Sequence, residues 1–213
     1  MKKKLLIWML AGCMAAAMPA TVLAAENVEE SGTETEAGTA ELGDDIYSFQ
    51  VMFDGDLLKL PMSCDELISM GWQAENPEDL DTMVQTNSYI TGVRFVKGNY
   101  YISADILNLG INEEPASKCL IGGIEVDASG AVHENIGQKI EPGIAMLPGN
   151  IEVGTATIED IKAAYGEPTD THEDEVYTVL TYDKDSFQDV SLTVYQETGT
   201  LLEVDMQNFV EPE

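Results

Sequence analysis

The chain has 213 residues, with 39 Asp and Glu against 10 Lys and Arg, for a formal charge of −29. Such an excess argues against nucleic-acid binding, which needs basic patches to displace counterions, and disfavours docking on anionic lipid. Acidity of this kind first of all keeps a chain soluble, and the length suffices for one large domain or two small ones.

Lys2, Lys3 and Lys4 precede an apolar run from Leu5 through Met18; Pro19 breaks it, and Val22-Leu23-Ala24 offers a signal-peptidase site. This order predicts a removed bacterial secretory peptide over residues 1–24, and hence an extracytoplasmic protein, secreted or at the cell surface. The run is shorter than the roughly 20 apolar residues of a spanning helix. Leu10-Ala11-Gly12-Cys13 also has the form of a lipobox, in which Cys13 would be acylated and tether the protein to a membrane. The residues after Cys13 stay apolar, where a lipoprotein turns polar, and free secretion and lipid anchoring both stand as readings. Residues 25–45 are acidic, rich in Gly and Thr and almost free of large apolar side chains, which predicts a disordered linker.

From Ile46 the pattern changes. Residues 47–53 and 56–60 read as short strands around Asp54-Gly55. Ser63 followed by Glu66 is a capping box, with Leu67 and Ile68 as the buried stripe, Gly71 as the stop and Trp72 as a core plug for this helix. Residues 73–89 read as a loop or a weak helix begun at Pro77. Three strands follow over 90–96, 100–109 and 119–126. The second half repeats this order: short strands at 144–147 and 150–153, then a helix capped by Thr157 and Asp160 and ended at Gly166, then strands over 176–183, 190–195 and 202–206. In the last two, Val190, Leu192 and Val194 alternate with polar residues, as do Leu202, Val204 and Met206, the sign of a half-buried antiparallel hairpin.

"Capped helix, then three strands" thus occurs twice. The expectation is an α+β fold of two tandem small units, residues 46–130 and 131–213, each a capped helix packed on an antiparallel sheet of three or four strands. Two cysteines follow the leader, Cys64 and Cys119. In an oxidising compartment they read either as a disulfide, which would stabilise by roughly 3–4 kcal/mol, or as two buried thiols.

Residues 152–161, then Tyr165-Gly166-Glu167-Pro168, a strand holding Leu180 and Tyr182, the strand Val190 to Val194 and a Gly199 hairpin together resemble the repeat of the BamE/SmpA-type small lipoproteins. They also resemble the β-lactamase-inhibitor-like proteins, in which a helix-plus-sheet unit occurs in tandem. The resemblance covers residues 150–208 best. It implies an extracytoplasmic, non-catalytic unit that binds another protein, in the inhibitor-like members through the open face of the sheet.

No catalytic constellation is legible. Nucleophilic catalysis needs a Ser, Cys or Thr beside a base, and the two histidines, His133 and His172, both sit in polar, loop-like contexts. Zinc spacing is absent, and Asp183-Lys184-Asp185 begins like a calcium loop but runs into Phe187 and Gln188. Gly122-Gly123 lies in a strand context with no helix after it, so it does not form a phosphate loop. No metal and no cofactor is implied. Tyr101, Tyr177 and Tyr195 would fall opposite the most apolar residues of their strands, on an open sheet face able to anchor a protein or glycan partner. The expectation is an exported, non-catalytic binding module; the alternatives are a hydrolase on an unfamiliar scaffold and a structural envelope lipoprotein.

Overall fold

The computed structural model describes residues 42–133 and 137–211. The expected signal peptide over residues 1–24, Cys13 and residues 25–41 of the expected linker lie outside them. A 3₁₀ turn at Ile46–Ser48, begun by the Asp45 carboxylate accepting from the Tyr47 N–H, leads into the hairpin β1 (Gln50–Phe53) and β2 (Asp56–Lys59). Its turn places Asp54 and Gly55 at positive φ, the geometry that matches strand twist. β3 (Met62–Ser63) delivers the chain to α1 (Cys64–Ser69), where Ser63 and Glu66 close the capping box. β4 (Gln73–Ala74), a 3₁₀ turn at Pro77–Asp81, β5 (Met83–Val84), β6 (Ser88–Lys97), β7 (Tyr100–Asn108), β8 (Glu114–Pro115) and β9 (Leu120–Asp127) follow. β10 (Ala145–Leu147) and β11 (Ile151–Glu152) precede α2 (Ile158–Tyr165), capped by Thr157 and Asp160 and stopped at Gly166. Then come β12 (Asp170–Glu173), β13 (Tyr177–Asp185), β14 (Gln188–Tyr195) and β15 (Thr200–Asn208).

A nine-stranded sheet runs in the order β12-β13-β14-β15-β9-β7-β6-β4, with β3 also paired to β9. A four-stranded sheet has the order β11-β10-β1-β2, and β5 pairs with β8. The ladders are antiparallel throughout.

The expected α+β fold of two tandem helix-plus-sheet units is overturned. The described residues make a β-rich fold, mostly antiparallel sheet, in which only α2 exceeds two turns. Strands from before and after residue 130 join in one sheet: Gly123, Ile124, Glu125, Val126 and Asp127 of β9 pair with Gln207, Met206, Asp205, Val204 and Glu203 of β15. The smaller sheet crosses the same divide, β1 pairing with β10. The physical reason lies in the strand edges. A sheet of three or four strands leaves a row of backbone N–H and C=O groups unpaired. β9 and β15 each alternate apolar with acidic residues, so pairing them satisfies both edges and puts Ile124, Val126, Val204 and Met206 on one side.

One contiguous core results, drawing Phe53, Leu58, Phe95, Ile102, Ile161, Leu192 and Val204 from both halves. Trp72 is fully buried and meets Phe53 edge-on, with ring centroids 5.5 Å apart. Its indole N–H donates to Asp56 at 2.8 Å, and Asp56 also takes the Lys97 ammonium at 2.5 Å. Trp72 is thus a core plug between β2 of the smaller sheet and β6 of the larger, rather than for α1 alone. The large sheet ends on one side in β4, two residues long, and on the other in β12, exposed at every position.

Candidate functional site

Strand alternation gives the large sheet two unlike faces. In β14, Val190, Leu192 and Val194 are buried, while Asp189, Ser191, Thr193 and Tyr195 point the other way and stay half-exposed. In β13 the second face carries Tyr177, Val179 and Thr181; in β15, Glu203, Asp205 and Gln207; in β9, Glu125 and Asp127; in β7, Tyr101, Ser103 and Asp105. Register fixes their rows. Asp205 lies across from Ser191 on one side and Glu125 on the other; Glu125 then faces Ser103, and Ser103 faces Arg94. In the next row Glu203 stands between Thr193 and Asp127.

The centre of this face is therefore a band of carboxylates from four strands: Asp189, Glu203, Asp205, Glu125, Asp127 and Asp105. Neighbouring strands lie about 4.8 Å apart, and the band feels that crowding. Burial first, then the charges of Asp105, Asp189, Glu125 and Glu203, push the Asp205 carboxyl up to about 7. Burial and carboxylate neighbours raise Glu203, Glu125 and Asp189 in the same direction. Asp105 is raised by burial, partly offset by the Gly92 N–H that donates to it at 3.2 Å. Asp127 accepts from the Ser129 N–H at 2.7 Å and holds the loop that follows β9.

Glycine makes room in the band. A Cβ on Gly123 would stand 2.9 Å from the Asp105 side chain. Beside it is a hollow of about 330 Å³, bordered by Gly92, Ser103, Asp105, Glu125 and Asp205.

The three tyrosines singled out from sequence all lie on this face, in two places. Tyr177 pairs with Tyr195 across β13–β14, ring centroids 5.8 Å apart. The His133 ring meets Tyr195 edge-on at 5.1 Å, and its Nε2 lies 3.3 Å from the Tyr177 hydroxyl. His172, on β12 opposite Val179, is exposed and belongs to the same side of the sheet. Tyr101 lies apart, beneath the Arg94 guanidinium at 4.3 Å, a cation–π pair. Burial and the Asp127 charge raise the Tyr101 phenol.

A third aromatic group went unread: the Tyr89 and Phe209 rings meet at a tilt, centroids 4.8 Å apart, with Phe187 exposed beside them. Sequence reasoning also missed the carboxylate band. Its signal was present in the alternation of β9 and β15, but only the seam between them brings the rows together.

Among the described residues no three His, Cys, Asp or Glu side chains converge as metal ligands. The band is spread in rows rather than gathered round a point. Cys64 and Cys119 are both buried and carry free thiols. Comparisons with family models, with curated proteins and with solved structures return no match for this chain.

Proposed function

We propose that this chain is an exported, non-catalytic binding module that recognises a protein partner through the half-exposed face of its large sheet. The observation that carries the reading is the composition of that face: a central carboxylate band with aromatic groups at its margins, Tyr177–Tyr195–His133 on one side and Tyr101–Arg94 on the other. Aromatic side chains offer large contact area at little conformational entropy, and they dominate the energetics of protein interfaces. The carboxylates favour a partner whose contacting surface carries Lys and Arg, by charge complementarity. Because the two halves share one sheet, the face is a single surface and not two small ones.

The test is capture of cell-surface proteins and glycans by immobilised chain, run beside two variants. Tyr177→Ala with Tyr195→Ala should weaken retention of the captured protein by tenfold or more. Glu203→Gln with Asp205→Asn should weaken it and reduce its salt dependence. Lys162→Ala, on α2, should leave retention unchanged. Equal retention by the tyrosine variant, or capture of glycan and no protein, would overturn the reading.

A further inference from the structure

The two buried thiols are brought together by strand register. β3 pairs with β9 so that Met62 faces Ile121 and Ser63 faces Leu120. Cys64 follows Ser63 and Cys119 precedes Leu120, so the two cysteines flank the end of this ladder, one where the chain turns into α1 and the other where it leaves the 3₁₀ turn Ala116–Lys118. Their neighbours also approach at the surface, the Lys118 ammonium lying 4.0 Å from the Asp65 carboxylate. The last ladder pair, Ser63 and Leu120, holds its Cα atoms about 4.5–5.5 Å apart, and the cysteines beside it need Cα atoms about 4.4–6.8 Å apart to close a disulfide. The Cys64 thiol donates to the Ala116 carbonyl at 3.4 Å, in the same 3₁₀ turn that delivers Cys119.

The two thiols differ in access. Cys64 is wholly buried, whereas Cys119 keeps slight exposure and borders a surface hollow of about 540 Å³ with Leu107, Gly110, Glu114 and Lys118. Burial, with the neighbouring Cys119 charge, pushes the Cys64 thiol up to about 12, and burial with the Glu114 charge raises Cys119 too, so access sets the order of the two.

We propose that Cys64 and Cys119 form an ordered dithiol site that closes to a disulfide on meeting a small-molecule disulfide, with Cys119 as the entry thiol and Cys64 as the resolving one. The Cys119 thiolate attacks one sulfur of the donor, whose S–S bond breaks and releases one donor thiolate. Cys64 then gives up its proton and attacks the Cys119 sulfur of the mixed disulfide, expelling the second donor thiolate. The two protein thiols are oxidised by two electrons, the donor disulfide is reduced to two thiols, and the two protons pass to them.

The experiment treats the folded full chain, carrying Cys13→Ser so that no third thiol competes, with excess oxidised glutathione at pH 8. It is followed by alkylation, digestion and mass mapping. Expected are joined Cys64 and Cys119 peptides and a Tm raised by about 10 °C over the reduced chain. With Cys64→Ser added, one glutathione should stay attached at Cys119. With Cys119→Ser added, glutathione should reach Cys64 at least tenfold more slowly. Both cysteines still open to alkylation in the oxidised chain would overturn the disulfide, whatever the variants do. Equal labelling of the two single-thiol variants would overturn the order.

Discussion

Asp205 sets the pH response of the molecule. In the fold it keeps its proton up to about pH 7, because burial and the surrounding carboxylates oppose its charge. In an unfolded chain an Asp ionises near pH 3.9. Between those values the folded state binds the extra proton, so stability falls as pH rises through that window. The raised Glu203, Glu125, Asp189 and Asp105 act in the same sense. The capping carboxylates Glu66 and Asp160 act in the opposite sense. Their hydrogen bonds to Ser63 and Thr157 hold them below the usual carboxylate range, and what they contribute disappears only below about pH 4. Calorimetry should therefore find a higher Tm at pH 5.5 than at pH 8, and Asp205→Asn should raise the Tm at pH 8 and narrow the gap. Identical melting at both pH values would contradict the crowding argument. Trp72 is the complementary case: Trp72→Ala removes a filled volume between the sheets and leaves Asp56 only Lys97, at a cost of about 3–5 kcal/mol in urea denaturation. At this scale the tyrosines were legible, because alternation within one strand assigns a face. The shifted acidity of Asp205 was not, because its neighbours Glu125 and Asp105 come from strands distant in sequence.

Among the elements, those stabilised by their own residues could be read and those stabilised by a partner could not. Both capping boxes stand where the Ser63/Glu66 and Thr157/Asp160 spacings put them, with reciprocal bonds in each. Thr157→Ala should cost about 1 kcal/mol, and Ser63→Ala about the same, each measured as a shift in denaturation midpoint at unchanged slope. The β14–β15 hairpin was equally plain from its alternation and Thr198-Gly199 turn. β12 was missed because Asp170, Thr171, His172 and Glu173 bury nothing; pairing with β13 alone makes them a strand. The two-residue strands β3 and β4 have no pattern of their own and exist only as bridges to the longer β9 and β6, while β5 and β8, equally short, pair with each other.

For the whole molecule, the decisive contact is the β9–β15 seam, which joins residues about 80 apart and leaves no mark in local periodicity. Two similar successions of elements read naturally as two self-contained units, yet each would have kept an open strand edge. Produced as separate chains, residues 46–130 and 131–213 should each lack a cooperative melting transition, since each would expose one side of the seam and half of the common core. A sharp, reversible melt from either piece alone would show that the seam is dispensable. The same distance makes folding slow relative to a helical protein of equal length, because the chain must close long loops before the central pair forms.

The two ends of the large sheet settle how the protein behaves among copies of itself. At β4 the available ladder is only two residues long, and Pro77 soon interrupts any extension. At β12 an incoming strand would meet Asp170 and Glu173 on a surface already rich in negative charge. Lateral accretion, the usual hazard of a wide antiparallel sheet, is thereby opposed at the β12 margin by repulsion, while at the other margin β4 covers only the Phe95–Val96 end of β6. At the β12 margin the carboxylates can then keep the broad sheet surface accessible without backbone pairing between copies.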